Sequence, residues 1–216
     1  MSINKLPNEI NIIDEKYKIV YCNDASDVCI MRRHNKLKEV DFWKQEIRIY
    51  KSESTEYEIW NRIWDSLLLI FFEKLHMSKI IDGDINERHL LLLGMGIGDV
   101  LVNNKIINER IELPKSVMVF NSMYEIKYYD KASRVDHIKR ESLLGQIDYW
   151  DSIIRIYEGQ YSNAGIWQTI WHELIHAILG KTQLKLNDNE EFVDLMATAI
   201  NGIFEYNETF RNRFKK

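Results

Sequence analysis

The sequence predicts an α+β protein made of two tandem copies of one small domain, in which a β-hairpin sheet is followed by two helices. Three observations support this. The chain matches itself at a fixed offset, the first part of each copy has strand-like apolar runs, and the last part has helical apolar periodicity. The length of 216 residues accommodates two such domains, and the 45% hydrophobic content supplies their cores.

The duplication is visible when the sequence is shifted by 107 residues against itself. The 70 gapless positions from Leu6 to Leu75 then contain 22 identical pairs, three of them tryptophans. Random pairing of this composition gives about four or five. We therefore predict domains at residues 1–110 and 111–216, related by a pseudo-two-fold axis. Because no Gly/Ser/Pro linker separates them, we expect the halves to pack as an intramolecular pseudo-dimer.

The strands are predicted from the second copy, which serves as the template. Turn signals at Asn121-Ser122 and Asp151-Ser152 each separate two apolar runs, which indicates two hairpins. The four predicted strands are Ser116–Phe120, Tyr124–Tyr129, Leu143–Trp150 and Ile153–Tyr157. The segment 132–140 fits either a short helix or a loop.

Two helices complete each copy. In the second copy, the helical spacing of the apolar residues predicts helices over Asn163–Leu179 and Asp188–Phe204. Gly180 is the expected stop of the first, and Asp188 or Asn189 the expected cap of the second. The corresponding helices of the first copy are predicted at about residues 53–77 and 84–102.

The first of these helices contains His172-Glu173-Leu174-Ile175-His176, an H-E-x-x-H sequence. On a helix the two imidazoles lie one turn apart on one face, where they can share a metal ion. Glu173 lies beside that face and can act as a base toward a metal-activated water. Apolar residues surround the three polar ones, and leaving those buried and unpaired would cost several kcal/mol.

A catalytic zinc site needs a third protein ligand and an open position. Glu190, in the first turn of the next predicted helix, is the expected ligand. Asp194 lies on the same face, four residues later, and can orient a ligand histidine by a hydrogen bond. Glu191 is the alternative metal ligand.

These residues carry a resemblance to a known family. The H-E-x-x-H sequence followed by Glu190, Asp194 and Ala197 resembles the ImmA/IrrE-like metallopeptidases, most closely the short phage-type members. The segments Gly145–Tyr149 and Ile154–Ile156 add to the similarity, which covers about residues 113–210. The family pattern E-x-x-A-N differs from the sequence after Glu190 here.

The resemblance implies a zincin-like fold and a gluzincin-like zinc site formed by His172, His176 and Glu190, with one Zn2+ per chain. It also implies a metallo-endopeptidase in which Glu173 is the general base. The segment Gly145–Trp150 would bind an extended protein or peptide substrate by strand addition. The resemblance suggests a regulatory protein as substrate, such as a repressor, in a phage or mobile-element setting.

A second hypothesis comes from a different class. The chain would then be a non-catalytic binding or regulatory protein, an anti-defence or inhibitor-like factor in which zinc serves only the structure. A fourth protein ligand would favour this hypothesis, whereas an open coordination position would favour the enzyme.

The first copy lacks the candidate metal-binding and catalytic residues of the second. Asp65, Ser66 and Leu69 stand where the second copy has His172, Glu173 and His176. After residue 75 the offset between the two copies changes by four residues. With the new offset, Leu91 stands opposite Asp194, and only Glu87 is retained, opposite Glu190. The first copy is therefore predicted to be a degenerate metallopeptidase-like domain without metal ligands.

Aromatic residues shared by both copies are predicted to be core residues, because their retention does not depend on the metal ligands. The pairs are Trp43 and Trp150, Tyr50 and Tyr157, Trp60 and Trp167, and Trp64 and Trp171. Tyr161 and His137 have no counterpart of their type and are candidates for stabilising an oxyanion. His34, His76 and His89 are expected to be structural or exposed.

Composition narrows the function classes further. The net charge is −4 without a basic block, so nucleic-acid binding is not expected. The N-terminus lacks the apolar stretch of a signal peptide, and no apolar run reaches the ~20 residues that span a bilayer. Cys22 and Cys29 form no C-x-x-C motif. A reduced, cytoplasmic protein without a membrane partner is the expectation.

Overall fold

The computed structural model describes residues 6–31, 36–77, 87–104, 107, 110, 112–138, 141–184, 186 and 189–207. These residues form an α+β protein, as predicted. The strands are β1 (Glu9–Ile12), β2 (Glu15–Cys22), β3 (Lys38–Asp41), β4 (Glu46–Tyr50), β5 (Ser116–Val119), β6 (Ser122–Tyr129), β7 (Gly145–Asp148) and β8 (Ile153–Tyr157). The helices are α1 (Ala25–Val28), α2 (Glu56–Lys74), α3 (Glu87–Asn103), α4 (Asn163–Thr182) and α5 (Glu190–Tyr206), with a 3-10 turn at Ala132–Arg134.

The strands form two four-stranded mixed sheets with the orders β1-β2-β4-β3 and β5-β6-β8-β7. In each sheet the two outer pairs are antiparallel and the central pair is parallel. The predicted hairpins β5–β6 and β7–β8 are confirmed. Turn signals identify only strands that are neighbours in sequence, so the parallel pairing that joins the hairpins was beyond the sequence prediction.

The two sheets repeat each other position by position. Lys18 pairs with Glu46, and Glu125 pairs with Ile153, each 107 residues further along. All other paired positions keep the same offset. Left-handed backbone conformations also recur at this offset, at Ile13 and Phe120, Gln45 and Ser152, and His76 and Gln183. The repeat found in the sequence is therefore also a repeat of the backbone.

The chain divides into two compact units, residues 1–98 with 202–216, and residues 99–201. The last residues of α3 belong to the second unit, and the last residues of α5 belong to the first. In the second unit, Asn104 bonds both the N–H and the carbonyl of Met118, each at 2.6 Å. In the first, Asn207 does the same to Asn11, at 2.7 and 2.9 Å.

Each core lies between a sheet and the first long helix of the repeat. α2 packs on β3 and β4, and α4 packs on β5, β7 and β8. Trp60, Trp64, Trp167 and Trp171 are buried in these cores, as predicted. Tyr50 and Tyr157 are half-buried at the ends of β4 and β8. A capping box between Thr55 and Glu58 begins α2.

The prediction was wrong for Trp43 and Trp150, each of which is 98% exposed. Both follow an aspartate at a hairpin turn. Asp41 Oδ1 accepts the N–H groups of Trp43 and Lys44, and Asp148 Oδ1 accepts those of Trp150 and Asp151, at 3.0–3.1 Å. These side-chain-capped turns direct both indoles away from the core.

Over the part of the chain that the structure describes, no helix has both the length and the apolar character required to span a membrane. Cys22 and Cys29 are both buried and are not joined by a disulfide.

Candidate metal centre

Helix α4 carries both histidines of the H-E-x-x-H sequence. It begins after Ser162, whose hydroxyl accepts the Gly165 N–H at 3.1 Å. The predicted stop at Gly180 was wrong, because the helix continues to Thr182 and the left-handed terminating residue is Gln183, with φ 55°. Gly180 instead makes room for Tyr149, whose ring lies 3.0 Å from where a Cβ would be. The Tyr149 hydroxyl donates to the His176 carbonyl at 3.0 Å.

Helix α5 supplies the acidic partners. Asn189 caps it, accepting the Phe192 N–H at 3.0 Å through its side chain and the Val193 N–H at 3.1 Å through its carbonyl. Asp188, the other cap candidate, lies outside the described residues. This cap makes Glu190 the first helical residue and directs its side chain toward α4.

The three expected ligands converge on one point. Nε2 of His172 and Nε2 of His176 are 3.0 Å apart. The Glu190 carboxylate lies 3.2 Å from the first nitrogen and 3.5 Å from the second. Tetrahedral ligands with metal bonds of about 2.0–2.1 Å are separated by about 3.3 Å. His172, His176 and Glu190 could therefore hold a metal ion.

Asp194 orients the first histidine. Its Oδ1 lies 2.7 Å from Nδ1 of His172. A carboxylate at Nδ1 favours the tautomer with the proton on that nitrogen, so Nε2 keeps its lone pair facing His176 and Glu190. Glu191, the alternative ligand, is exposed and does not belong to the converging group.

Glu173 lies behind the ligand group and is 4% exposed. A hydrogen bond from the Ile147 backbone on β7 holds its carboxylate. The close contact between β7 and the Glu173 carboxylate requires a glycine on β7. A Cβ at Gly145 would lie 2.5 Å from Glu173 Oε1 and 2.6 Å from Thr169 Cγ2. The sequence prediction missed this role of Gly145, although the lysine at the equivalent position of the first repeat was a signal for it.

The environment of Glu173 favours its protonated form. Burial, followed by the negative charges of Glu190 and Asp194, raises the pKa of Glu173 to about 8, whereas the Ile147 hydrogen bond opposes the shift. A cation held by His172, His176 and Glu190 would add a further opposing influence, since it would stabilise the carboxylate. The carboxyl is thus placed to exchange a proton near neutral pH.

A cavity of about 330 Å³ adjoins the ligand group. Glu173, Glu190 and Asp194 line one part of it together with His172. The remainder is lined by uncharged residues from the start of β7, the loop before α4 and the first turns of α4: Leu143, Leu144, Gly145, Gln160, Gly165, Gln168 and Thr169.

The other sequence candidates lie away from this group. Tyr161 is fully exposed and does not line the cavity. Nδ1 of His137 lies 3.2 Å from the Arg155 guanidinium, which also contacts Asp148. His76 is exposed and His89 half-buried, while His34 falls outside the described residues.

The equivalent place in the first repeat holds different chemistry. Asp65, at the His172 position, is buried, and its Oδ2 lies 4.0 Å from Lys38 Nζ. Ser66 donates to the Arg62 carbonyl at 2.7 Å. Leu69 is half-buried and Leu91 exposed, and the Glu87 side chain is outside the described residues. Among described residues, the only group that could hold a metal belongs to the second repeat.

No protein-family model, no curated protein and no solved structure matches this chain.

Proposed function

We propose that the chain is a zinc-dependent metallo-endopeptidase of the ImmA/IrrE-like type. The observation that carries the proposal is the convergence of two imidazole nitrogens and one carboxylate, 3.0–3.5 Å apart, beside the buried carboxyl of Glu173. Two histidines and a glutamate form a common donor set of catalytic zinc sites.

Zinc suits this site better than magnesium or calcium. Imidazole nitrogens are poor ligands for magnesium and calcium, which prefer oxygen. Within the described part of the chain the group has three protein ligands, which would leave one coordination position for water, as a catalytic site requires. The Asp194–His172 hydrogen bond is the usual support of a zinc-binding histidine.

When bound, zinc would supply Lewis acidity that polarises the attacking water and the peptide carbonyl. Glu173 would accept the proton of the attacking water and deliver it to the leaving amine. Its burial beside the ligand group keeps the carboxyl close to the site of this transfer. The Ile147 N–H and the absence of a side chain at Gly145 keep the carboxyl in place.

An extended polypeptide is the proposed substrate. β7 is the last strand of its sheet and pairs with β8 along one edge. The other edge can pair with an extended substrate by strand addition. The start of β7 also lines the cavity beside Glu173, so such a substrate would pass the ligand group. The family resemblance favours a regulatory protein, such as a repressor in a phage setting, as the physiological substrate.

The alternative is a binding or regulatory protein in which zinc is structural. The fully exposed Trp43 and Trp150 favour it, because large aromatic residues are common anchors of protein interfaces. The group of three ligands, without a fourth among the described residues, and the adjoining cavity favour the enzyme instead.

Glu173→Gln separates the two proposals. The amide keeps the size of the side chain but cannot accept the proton, so zinc content should be unchanged and cleavage of a mixed fluorogenic peptide library should fall by about 10²–10⁴-fold. Glu191→Gln, an exposed neighbour of Glu190, is the matched control and should behave as wild type. Equal cleavage by Glu173→Gln and wild type would refute the mechanism.

A further inference from the structure

The residues that line the cavity include an organised group of hydrogen bonds around Gln160, in the loop between β8 and α4. Gln160 Nε2 donates to the Tyr157 carbonyl at 3.0 Å and to Thr169 Oγ1 at 3.0 Å. Thr169 lies one helical turn before Glu173 and faces the same Gly145. This group therefore forms part of the same wall as the catalytic carboxyl.

The orientation of the Gln160 amide is determined by these partners. A backbone carbonyl can only accept, so the nitrogen must face Tyr157. Thr169 has one proton, and the Gly165 carbonyl, at 3.1 Å, is a closer acceptor for it than Gln160 Oε1, at 3.3 Å. The Gln160 oxygen is consequently left with acceptor capacity, and Gln160 lines the cavity.

Gly165 keeps this oxygen uncovered. A Cβ at Gly165 would lie 3.0 Å from Gln160 Oε1. A methyl group there would crowd the oxygen and hinder the approach of a donor. Because Gly165 lies in the first turn of α4, an alanine at this position suits the helix and should not prevent folding.

The charges of the cavity also restrict its occupant. Apart from the metal ion that the site is proposed to bind, its lining residues within the described part of the chain include Glu173, Glu190 and Asp194, but neither lysine nor arginine. An acidic side chain that does not reach the metal would meet carboxylates and the Gln160 amide oxygen. An uncharged side chain that carries a hydrogen-bond donor would satisfy the Gln160 oxygen.

We propose that Gln160 is a specificity-determining residue that selects an uncharged, donor-bearing side chain, such as an amide, next to the scissile bond. This inference rests on the proposed peptidase function and specifies its substrate class. Gln160 acts through its Oε1, and Gly165 gives the substrate access to that oxygen.

Gln160 also has a structural role, because it caps the carbonyl at the end of β8. In the first repeat, Arg62 caps the equivalent Tyr50 carbonyl at 2.5 Å. Removal of Gln160 would therefore disturb the loop whether or not it recognises substrate. Gly165→Ala is the better variant, because it crowds the oxygen while retaining the glutamine.

The test uses the zinc-loaded full chain and hydroxamates bearing a glutamine, methionine or glutamate side chain. The three side chains are similar in length, and each is placed on either side of the zinc-binding group. In calorimetry, the glutamine form should bind roughly three- to tenfold more tightly than the methionine form in at least one of the two placements. This difference is the effect expected of one hydrogen bond. The glutamate form should bind most weakly.

In Gly165→Ala, the preference for glutamine over methionine should fall to about one, with the zinc content unchanged. Gly202→Ala, where a Cβ would meet nothing closer than 3.9 Å, is the matched control and should keep it. Equal binding of the two forms to wild type, or a preference that survives Gly165→Ala, would overturn the inference while leaving the proposed function intact. A zinc-loaded chain that binds no hydroxamate would overturn both.

Discussion

The two repeats share their strand order, their register and a buried tryptophan pair, but they differ in how they place charge beside the first long helix. The second repeat has Gly145 on its edge strand and His172 on α4, which could hold a metal ion with His176 and Glu190. The first has Lys38 and Asp65 at the equivalent positions. Where one repeat can bind an external cation, the other carries a cation on its own side chain.

The second long helices of the two repeats, α3 and α5, also carry different residues at equivalent positions. A Cβ at Gly94 would collide with Asp65 Oδ1, and one at Gly98 with Asn61 Oδ1. The helix backbone of α3 thus lies directly against the polar groups of α2. The register of the second helices places Ala197 and Asn201 at these positions in the second repeat. The comparison teaches that the same backbone arrangement can hold an ion pair in one repeat and a group of possible metal ligands in the other.

The largest expected effect concerns metal content. The purified chain should carry about one zinc, and His172→Ala should carry none, because two remaining ligands hold zinc poorly. Since a metal that binds only the folded state stabilises it, a chelator should lower the melting temperature of wild type by several degrees but leave His172→Ala unaffected. Elemental analysis and thermal unfolding provide these values.

Asp65→Ala is the reciprocal variant in the first repeat. It should retain the full zinc content, since Asp65 pairs with Lys38 and does not belong to the ligand group. Two zinc ions per wild-type chain, or loss of zinc from Asp65→Ala, would remove the distinction between the repeats.

A smaller effect is expected at Gly145, where the repeats differ by a glycine and a lysine. Gly145→Ala places a Cβ 2.5 Å from Glu173 Oε1, so the carboxyl must move while the three ligands stay. Peptide cleavage should fall by about 10–100-fold with the zinc content unchanged, because small displacements of a catalytic group are costly. Kinetics combined with elemental analysis test this.

Lys38→Ala is the control at the equivalent position and should leave peptide cleavage at the wild-type rate. A Gly145→Ala variant with wild-type activity would mean that the contact between β7 and Glu173 does not position the proposed base.

Much of this arrangement was accessible from the sequence, because it depends on local spacing. The histidines follow from positions four apart on a helix, and Glu190 with Asp194 from a capped helix start. The repeat offset predicted the strands of both sheets. The parallel pairing of β6 with β8 and the amide of Gln160 depend on contacts between distant segments, for which the local pattern carries no signal. The fit of Gly145 against Glu173 was indicated only by the lysine at the equivalent position of the first repeat.

Asp65 should make stability depend on pH. Burial raises the pKa of Asp65 from 3.8 to about 6, with Lys38 opposing the shift. The folded state therefore binds this proton more tightly than the unfolded state, and the free energy of unfolding falls as the pH rises from about 4 to about 6. Asp65→Asn should be more stable than wild type above pH 6, by about 1–3 kcal/mol, and similar to it near pH 4.

Urea unfolding at about pH 4 and about pH 7.5 measures this difference. Asp14→Asn removes an equal charge from an exposed turn and should not change the pH dependence. If Asp65→Asn is the less stable protein at the higher pH, the ion pair with Lys38 outweighs the cost of burying the carboxylate.

The smallest expected effect concerns Trp150, which the repeat shares with Trp43. Retention in both repeats suggested a core role, but the side-chain-capped turn at Asp148 holds the indole in solvent. Trp150→Ala should therefore change the free energy of unfolding by no more than about 0.5 kcal/mol, the usual range of surface substitutions. Trp167→Ala, which removes an indole that is 5% exposed, should cost about 3–5 kcal/mol. If urea unfolding shows that both variants lose nearly the same free energy of unfolding, Trp150 packs against protein. If only Trp167→Ala is strongly destabilised, stability does not explain why both repeats retain the exposed tryptophan.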